Sequence, residues 1–375
     1  MSAKKKDFVL CLVFGLLLAG GFLLCLFLPK AKYSESERRM LSPRPKFSAQ
    51  GVWSGRFMSD FESYAVDTFP FRDFLRGIKA VTALHVFLRQ DNNGIYAEEG
   101  FLASMEYPMN EASLSHAARR FGYIREKYLT GENRIYLSVI PDKNCFLAEK
   151  SGHLSMDYKD FEKKMANLAD FAEYISISDL LERDDYYKTD THWRQEKITD
   201  VAERLALAMG TEVSEDYELC EMEQDFYGVY YGQAALPFAP DRLKFLTGEV
   251  IQGCQVYDWQ NQKVIPVYNT SVFEEAGNDG KKAAVRDPYE LFLSGSLSLI
   301  TIKNPNARTD KRLVMFRDSF GSSIAPLLIS GYAQIDLVDI RYIHPDHLGQ
   351  FIDFEGCDVL FLYSSLVLNH SDTLK

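Results

Sequence analysis

"RLVMFRDSFGSSIAPLLISGY", Arg312 to Tyr332, changes character in its middle. "LVMF" is a short apolar, β-rich run, and directly after Arg317-Asp318-Ser319 a helix-like stretch begins. A strand that passes so abruptly into a helix sets the intervening serine hydroxyl at a sheet edge. It also sets the serine N–H at a helix N-terminus, where it can stabilise an oxyanion. Gly321 and the small Ser322 and Ser323 let a substrate approach closely. This is the logic of a nucleophile turn, although the sequence is not G-x-S-x-G.

Similar apolar runs occur in "RIYLSVIP" (Arg134–Pro141), "QIDLVDI" (Gln334–Ile340) and "DVLFLY" (Asp358–Tyr363). Between them lie helix-like stretches. One carries Ala117, Phe121, Ile124 and Tyr128 and stops at Gly131; "YKDFEKKMANLADFAEY" is another; "KITDVAERLALAMG", closed by Gly210, is a third. "ISISDLL" reads as a further strand. The alternation predicts a three-layer α/β/α domain with a mostly parallel sheet. Its parallel strands are expected at Arg134–Ile140, Arg312–Phe316, Gln334–Ile340 and Asp358–Tyr363. Residues 211–310 break the rhythm. "DFYGVYYGQAALP", "VIPVYNTSVF" and turn-rich "AGNDGKK" read as a β-rich insertion. Upstream, "NNGIYAEEGFL" reads as a hairpin with turn residues Asn92, Asn93 and Gly94, and Phe57, Phe61, Tyr64, Phe74 and Ile78 fall near helical spacing broken at Pro70.

The 375 residues, 46% apolar and 25% charged, suit a globular chain with ample material for a core. A net charge of -11 and a pI near 5.2 offer no basic surface for nucleic acid. "FVLCLVFGLLLAGGFLLCLFL", Phe8 to Leu28, carries no charge and is long enough to cross a bilayer as a helix. The following "LPKAKY" makes a poor cleavage site, so the run reads as an uncleaved, single-pass anchor. Lys4, Lys5 and Lys6 favour a cytoplasmic N-terminus, against a modest opposing pull from Lys30 and Lys32. The expected organisation is a stub and anchor over 1–29, a proline-bearing tether over 30–50, and an extracytoplasmic domain over 51–375. Cys11 and Cys25 fall in the anchor. Cys145, Cys220, Cys254 and Cys357 remain, open to disulfides or free thiols, and no Cys/His cluster suggests a metal.

A serine nucleophile needs a base. "YYKTDTHW", Tyr186 to Trp193, supplies a D-x-H pair in which His192 can take the serine proton while Asp190 fixes the imidazole. Each short pattern is weak alone; together on an α/β domain they converge on acyl chemistry. The plain structural reading makes Asp190 or Thr191 a helix cap, and Ser319 an N-cap.

"TDTHW" also resembles the T-D-H-H-W motif of the DHHW-type bacterial proteins. "RDSFGSSIAPLL…IDLVDIRY", "ERRML…RPKF", "DFESYAVDTFPFRD", "IPDKN" and "YELFLSG" resemble further blocks of that family in the same order, over most of residues 35–365. The family is related to the alginate O-acetyltransferases and has an SGNH-hydrolase-like fold. The resemblance implies a Ser319–His192–Asp190 site working on a cell-surface polysaccharide, often beside a membrane-bound O-acyltransferase that supplies acyl groups, and it implies no cofactor. Two departures stand out. Thr191 replaces the first histidine of the name motif, leaving His192 as the base. Arg317 stands where SGNH enzymes have the glycine of G-D-S, a place where it can crowd the serine turn or bind an anionic sugar.

Substrate contacts are expected among Arg317, Arg341, Tyr342, Lys143 and Trp193. Against these, Trp193, Tyr186 and Tyr187 read more readily as packing residues than as sugar platforms, Lys143 as a solvated charge, and Asp339 with Arg341 as a structural ion pair. Gly295 is a candidate second oxyanion donor, or a simple turn. "GNDGKK" has the wrong spacing for a phosphate loop, and His344 and His347 lack further metal ligands nearby. The rival functions are an acetyl-esterase using the same residues and an inactive glycan-binding scaffold.

Overall fold

The computed structural model describes residues 3–34, 36–37, 39–214, 216–273 and 287–375; "AGNDGKK" lies outside them. The chain forms two compact units, Met1–Asn92 with Ala235–Pro237, and Asn93–Ala234 with Phe238–Lys375.

The first unit opens with α1 (Ala3–Phe27), of which Lys5–Phe27 is long and apolar enough to cross a membrane. A small antiparallel pair follows, β1 (Tyr33–Ser34) with β2 (Arg39–Met40), then α2 (Ala49–Trp53), α3 (Arg56–Asp67) and α4 (Arg72–Val81), extended by a π-turn at Thr82–Val86. The break between α3 and α4 falls at Pro70, whose ring excludes a continuous helix.

The second unit begins with a hairpin, β3 (Ile95–Glu98) and β4 (Phe101–Ser104). Its turn is Glu99-Gly100, with φ of 48° and 81°, and not Asn92–Gly94 as the sequence suggests. Positive φ at both central residues matches the right-handed twist of the flanking strands. After it come α5 (Glu111–Tyr128), β5 (Arg134–Ile140), α6 (Asn144–Ser151), α7 (Tyr158–Leu168), β6 (Glu173–Tyr174) and α8 (Thr199–Ala208). Next are β7 (Glu218–Phe226), α9 (Val229–Ala234), β8 (Asp241–Thr247), α10 (Glu249–Gln252), β9 (Gln255–Asp258), β10 (Lys263–Ile265) and β11 (Leu299–Lys303). The chain closes with β12 (Arg312–Arg317), α11 (Gly321–Leu328), β13 (Gln334–Val338), β14 (Asp358–Ser364) and α12 (Ser365–Asn369).

Among the described residues, eight strands share one sheet in the order β10-β9-β11-β13-β12-β14-β5-β6. The run from β13 to β6 is parallel and contains all four strands expected to be so. From the 211–310 segment, β9, β10 and β11 add antiparallel strands to the β13 edge, while β7 and β8 form a separate ribbon. Two local expectations fail. "ISISDLL" is not a strand: β6 ends at Tyr174, one more backbone bond runs from the Ile175 N–H to Leu137 O at 2.8 Å, Ser138 Oγ donates to Ile175 O at 2.8 Å, and Ser178–Leu180 is a 3-10 turn. "DFYGVYYGQAALP" contains α9 rather than continuous β structure, because the Val229 N–H at the start of that helix is taken by a carboxylate described below.

Alternation along the strands builds two cores. Leu313, Met315, Leu360 and Leu362 face α8 and α11, together with Val201, Leu205, Ile324 and Leu328. Val314, Phe316, Val359, Phe361 and Tyr363 face α5 and α7, together with Leu114, Phe121, Phe161 and Met165. The three-layer α/β/α expectation is therefore met. Phe361 holds the second core together, its ring stacked on Phe316 at 4.9 Å and Phe121 at 4.5 Å, with Phe171 edge-on at 6.5 Å. Replacing it by alanine removes a buried aromatic from a site with no room to collapse. Phe361→Ala is expected to lower unfolding free energy by about 3–5 kcal/mol in a denaturant titration.

Candidate active site

The serine turn is built at the carboxyl end of β12, which is flanked on both sides by parallel strands and fully buried along its apolar length. Asp318, 1% exposed, locks the turn. Its Oδ1 accepts the Phe320 N–H at 3.0 Å, and its Oδ2 accepts the Ser364 N–H at 2.8 Å and the Ser364 hydroxyl at 2.6 Å. The carboxylate thus ties the end of β12 to the end of β14. Ser319 follows, half-buried, and α11 starts two residues later. The Ser319 N–H has no hydrogen-bond partner among the described residues and remains available to an oxyanion.

The second component is the loop closed by the antiparallel bridge between Tyr186 and Trp193. Within it Asp190 Oδ1 accepts both the His192 backbone N–H at 3.1 Å and the His192 Nδ1–H at 2.5 Å. Asp190 Oδ2 accepts the Val229 N–H at 2.8 Å, so the start of α9 holds the far side of the carboxylate. With Nδ1 donating to aspartate, His192 Nε2 is free to accept, and it lies 2.7 Å from Ser319 Oγ. The two residues are 127 apart in the chain. Serine, histidine and aspartate form one continuous hydrogen-bonded line, with the histidine only 7% exposed.

The imidazole is held from its faces as well. Tyr289 stacks on it at 3.7 Å with rings 8° from parallel, and Phe320 leans against it at 4.8 Å. Tyr289 donates to Ser323 Oγ at 2.9 Å, and the Trp193 indole N–H reaches the same hydroxyl at 2.8 Å. Thr189 anchors the loop from below: its N–H and hydroxyl both donate to Asp241 Oδ2, at 2.8 and 2.7 Å, while Oγ1 accepts the Gly228 N–H at 2.9 Å. Gly228 lies so close to this loop that a Cβ there would sit 2.3 Å from Asp190 Cα.

The remaining expected site residues go elsewhere. Arg317 does not line a pocket beside Ser319; it is 0% exposed and turns into the interior. There it donates to Asp318 O at 3.3 Å and to Gly295 O and Leu297 O at 3.4 Å, with Asp339 3.8 Å away. Burial pulls its pKa below the ordinary arginine range, with Asp339 opposing. Lys143 is not a solvated charge. It is buried, donating to Tyr187 O at 2.7 Å and Lys188 O at 3.3 Å, behind the histidine loop. Trp193 is fully buried and offers no face to a sugar. The Gly295 N–H is already given to Phe292 O at 3.0 Å, in a turn whose Leu293, Ser294 and Gly295 all have positive φ. It is therefore not a second oxyanion donor. Arg341 is held by Asp339 through bonds of 2.9 and 2.7 Å, whereas Tyr342 is 54% exposed. Ser322 and Ser323 do not open the turn to a substrate: both are buried, and the Ser323 hydroxyl is taken by Tyr289 and Trp193. Tyr289, Gly228, Asp241 and the inward role of Lys143 were not found from the sequence, although Tyr289 stands in "YELFLSG".

This fold is shared with solved proteins. A DHHW family protein from Eubacterium siraeum superposes with a TM-score of 0.58 at 18% identity, over 76% of this chain and 95% of that one. Bacillus cereus PatB1, solved with a sulfonyl adduct, gives 0.56 at 19% identity, over 75% and 97%. A second PatB1 structure gives 0.52 at 17% identity, over 75% and 98%. The fold is thus common to all of them. No protein-family model matches the sequence, and no curated protein matches it.

Two outcomes follow from the packing. Gly228→Ala forces the Asp190 backbone to move and is expected to cost about 1–3 kcal/mol in stability, read as a lowered melting temperature. Lys143 is pushed down to about 7, chiefly by burial, while Asp190, Asp241 and Asp142 oppose the shift. Between about 7 and the ordinary lysine range, the unfolded chain holds a proton that the folded chain has released, so stability rises with pH there. That contribution is complete above the ordinary lysine value and is lost as pH falls toward 7. Asp142, raised to about 6 by burial, titrates below this window. Melting temperatures from pH 7 to 9.5 are expected to rise for the wild type relative to Lys143→Met, whose profile lacks this component.

Proposed function

We propose that this chain is a DHHW-type protein that transfers acyl groups, most simply acetyl, to hydroxyls of a cell-surface polysaccharide. The observation that carries the reading is the 2.7 Å contact between His192 Nε2 and Ser319 Oγ, continued by the 2.5 Å contact to Asp190. In the proposed reaction Ser319 Oγ attacks the acyl carbonyl as His192 takes its proton, and Asp190 stabilises the imidazolium. The Ser319 N–H faces the developing oxyanion. The intermediate collapses as His192 gives that proton to the donor's leaving group, which departs and leaves an acyl-serine; His192 then takes the proton of a sugar hydroxyl as it attacks, and returns it to Ser319 Oγ as the acyl group passes to the sugar. The blocks "TDTHW" and "RDSFGSS" support the same assignment, since they supply the base and nucleophile in the order of the family they resemble.

In this reading Phe8–Leu28 anchors the chain, the body from residue 30 lies outside the cytoplasm, and a membrane-bound O-acyltransferase supplies acyl groups. Exposed Tyr342, with Arg341 beside it, is the proposed acceptor contact at the carboxyl edge of the sheet. The test is acetyl-ester turnover by the purified full-length protein, with and without polysaccharide acceptors. Ser319→Ala is expected to lower turnover roughly 10³-fold or more at unchanged melting temperature. Equal rates would instead leave a glycan-binding scaffold, and release of acetate unaffected by any acceptor would leave an esterase.

A further inference from the structure

Within the first unit, α4 is inside out for a helix in water. Phe74 (69% exposed), Leu75, Ile78 (48%) and Val81 face outward, and Phe71 (66%) continues the surface at the corner before the helix. Two of its charges are turned in, while Asp73 and Lys79 stay exposed. Arg72 and Arg76, their side chains only 14% and 18% exposed, pair with Glu37 at 2.6 and 3.2 Å. Arg39 pairs with Asp67 at 2.6 Å beside them. In water the hydrophobic effect drives the opposite arrangement, since each exposed Phe or Ile side chain forgoes burial.

The surroundings of this face point to what covers it. An apolar cavity of about 370 Å³ is lined by Gly21 and Leu24 of α1 and by Phe69, Phe71, Phe74 and Leu75. Leu24 and Gly21 precede the last residue of α1 by three and six positions. At 1.5 Å per residue they lie about 4.5 and 9 Å below the helix end. Interfacial helices bury their apolar face about 5–10 Å into the boundary between headgroups and acyl chains. If α1 crosses a bilayer and ends at its surface, the phenylalanines meet it at that depth. Lys30 and Lys32, just past the end of α1, suit the headgroup layer above.

We propose that α4 and the Phe69–Phe71 corner lie in the interfacial zone of the membrane that α1 crosses, with their apolar face on lipid. The inference rests on the reading of Phe8–Leu28 as an anchor and is independent of the chemistry at Ser319. The ion cluster around Glu37 then pairs Arg72 and Arg76 within the protein while the other face of α4 is given to acyl chains. A second copy of this chain or another protein on the same face would be the competing occupant.

The experiment uses the full-length protein reconstituted in vesicles of phosphatidylcholine and phosphatidylglycerol. The photoreactive amino acid p-benzoylphenylalanine replaces, one at a time, Leu24 and Phe74, and adducts are identified by mass. Lipid adducts are expected at both positions. Adducts at 24 with none at 74, or protein–protein crosslinks in place of lipid adducts at 74, overturn the proposal while the anchor stands. Absence of lipid at both 24 and 74 removes the anchor and this inference together.

Discussion

A loop as polar as Tyr186–Trp193 enters a protein interior only when its groups find partners, and this requirement organises the second unit. An unpaired buried donor or acceptor costs on the order of 1–3 kcal/mol, and this loop carries many. Neighbours drawn from all over the chain meet the demand: Lys143 for the Tyr187 and Lys188 carbonyls, Asp241 for Thr189, Val229 for Asp190, Ser323 for Trp193. Among the described residues the Tyr187 hydroxyl stands out as an atom left over. Fixing the loop in this way fixes the direction of His192, whose Nδ1 is committed to Asp190 and whose Nε2 therefore points at Ser319. The line of three residues is a consequence of satisfying the loop.

The same logic explains what could be read in the sequence. "RLVMF" and "DVLFLY" declare themselves because both faces of a central parallel strand are buried, which leaves an uninterrupted apolar run. Their parallel pairing then places Ser319 at the carboxyl edge. Asp190 and His192 were readable because two residues of spacing suffice for a carboxylate and an imidazole to meet. By contrast, the roles of Lys143, Gly228 and Tyr289 exist only through contacts made across the fold. No local pattern says that a lysine after a strand will turn inward, or that a glycine in "DFYGVYYG" must lack a Cβ because Asp190 is there. The hairpin turn went astray for a related reason. Asn92, Asn93 and Gly94 are good turn residues, but the strands close at Glu99-Gly100.

The two units hold their arginines at different distances. Around Glu37 they are paired at 2.6–3.2 Å. At Arg317 the contacts are longer, all between 3.3 and 3.8 Å, and its Nε, like that of Arg72, has no hydrogen-bond partner among the described residues. A fully buried guanidinium so loosely held costs desolvation that its bonds only partly recover. Its value therefore lies in what it joins: the carbonyls of Asp318, Gly295 and Leu297 bring the serine turn and the left-handed turn at 293–295 together.

That role depends on space at the serine turn. A side chain as large as arginine fits before Asp318 only if its bulk is removed from the turn. Gly321 provides the space. A Cβ at 321 would sit 2.6 Å from Arg317 Cβ, 2.8 Å from Cγ and 3.2 Å from Cδ, so the methylenes of the arginine occupy the volume that any other residue there would fill. Arg317 can then run inward beneath the turn and leave the Ser319 hydroxyl to His192. The two residues are a matched pair: with arginine at 317, position 321 has no steric alternative to glycine.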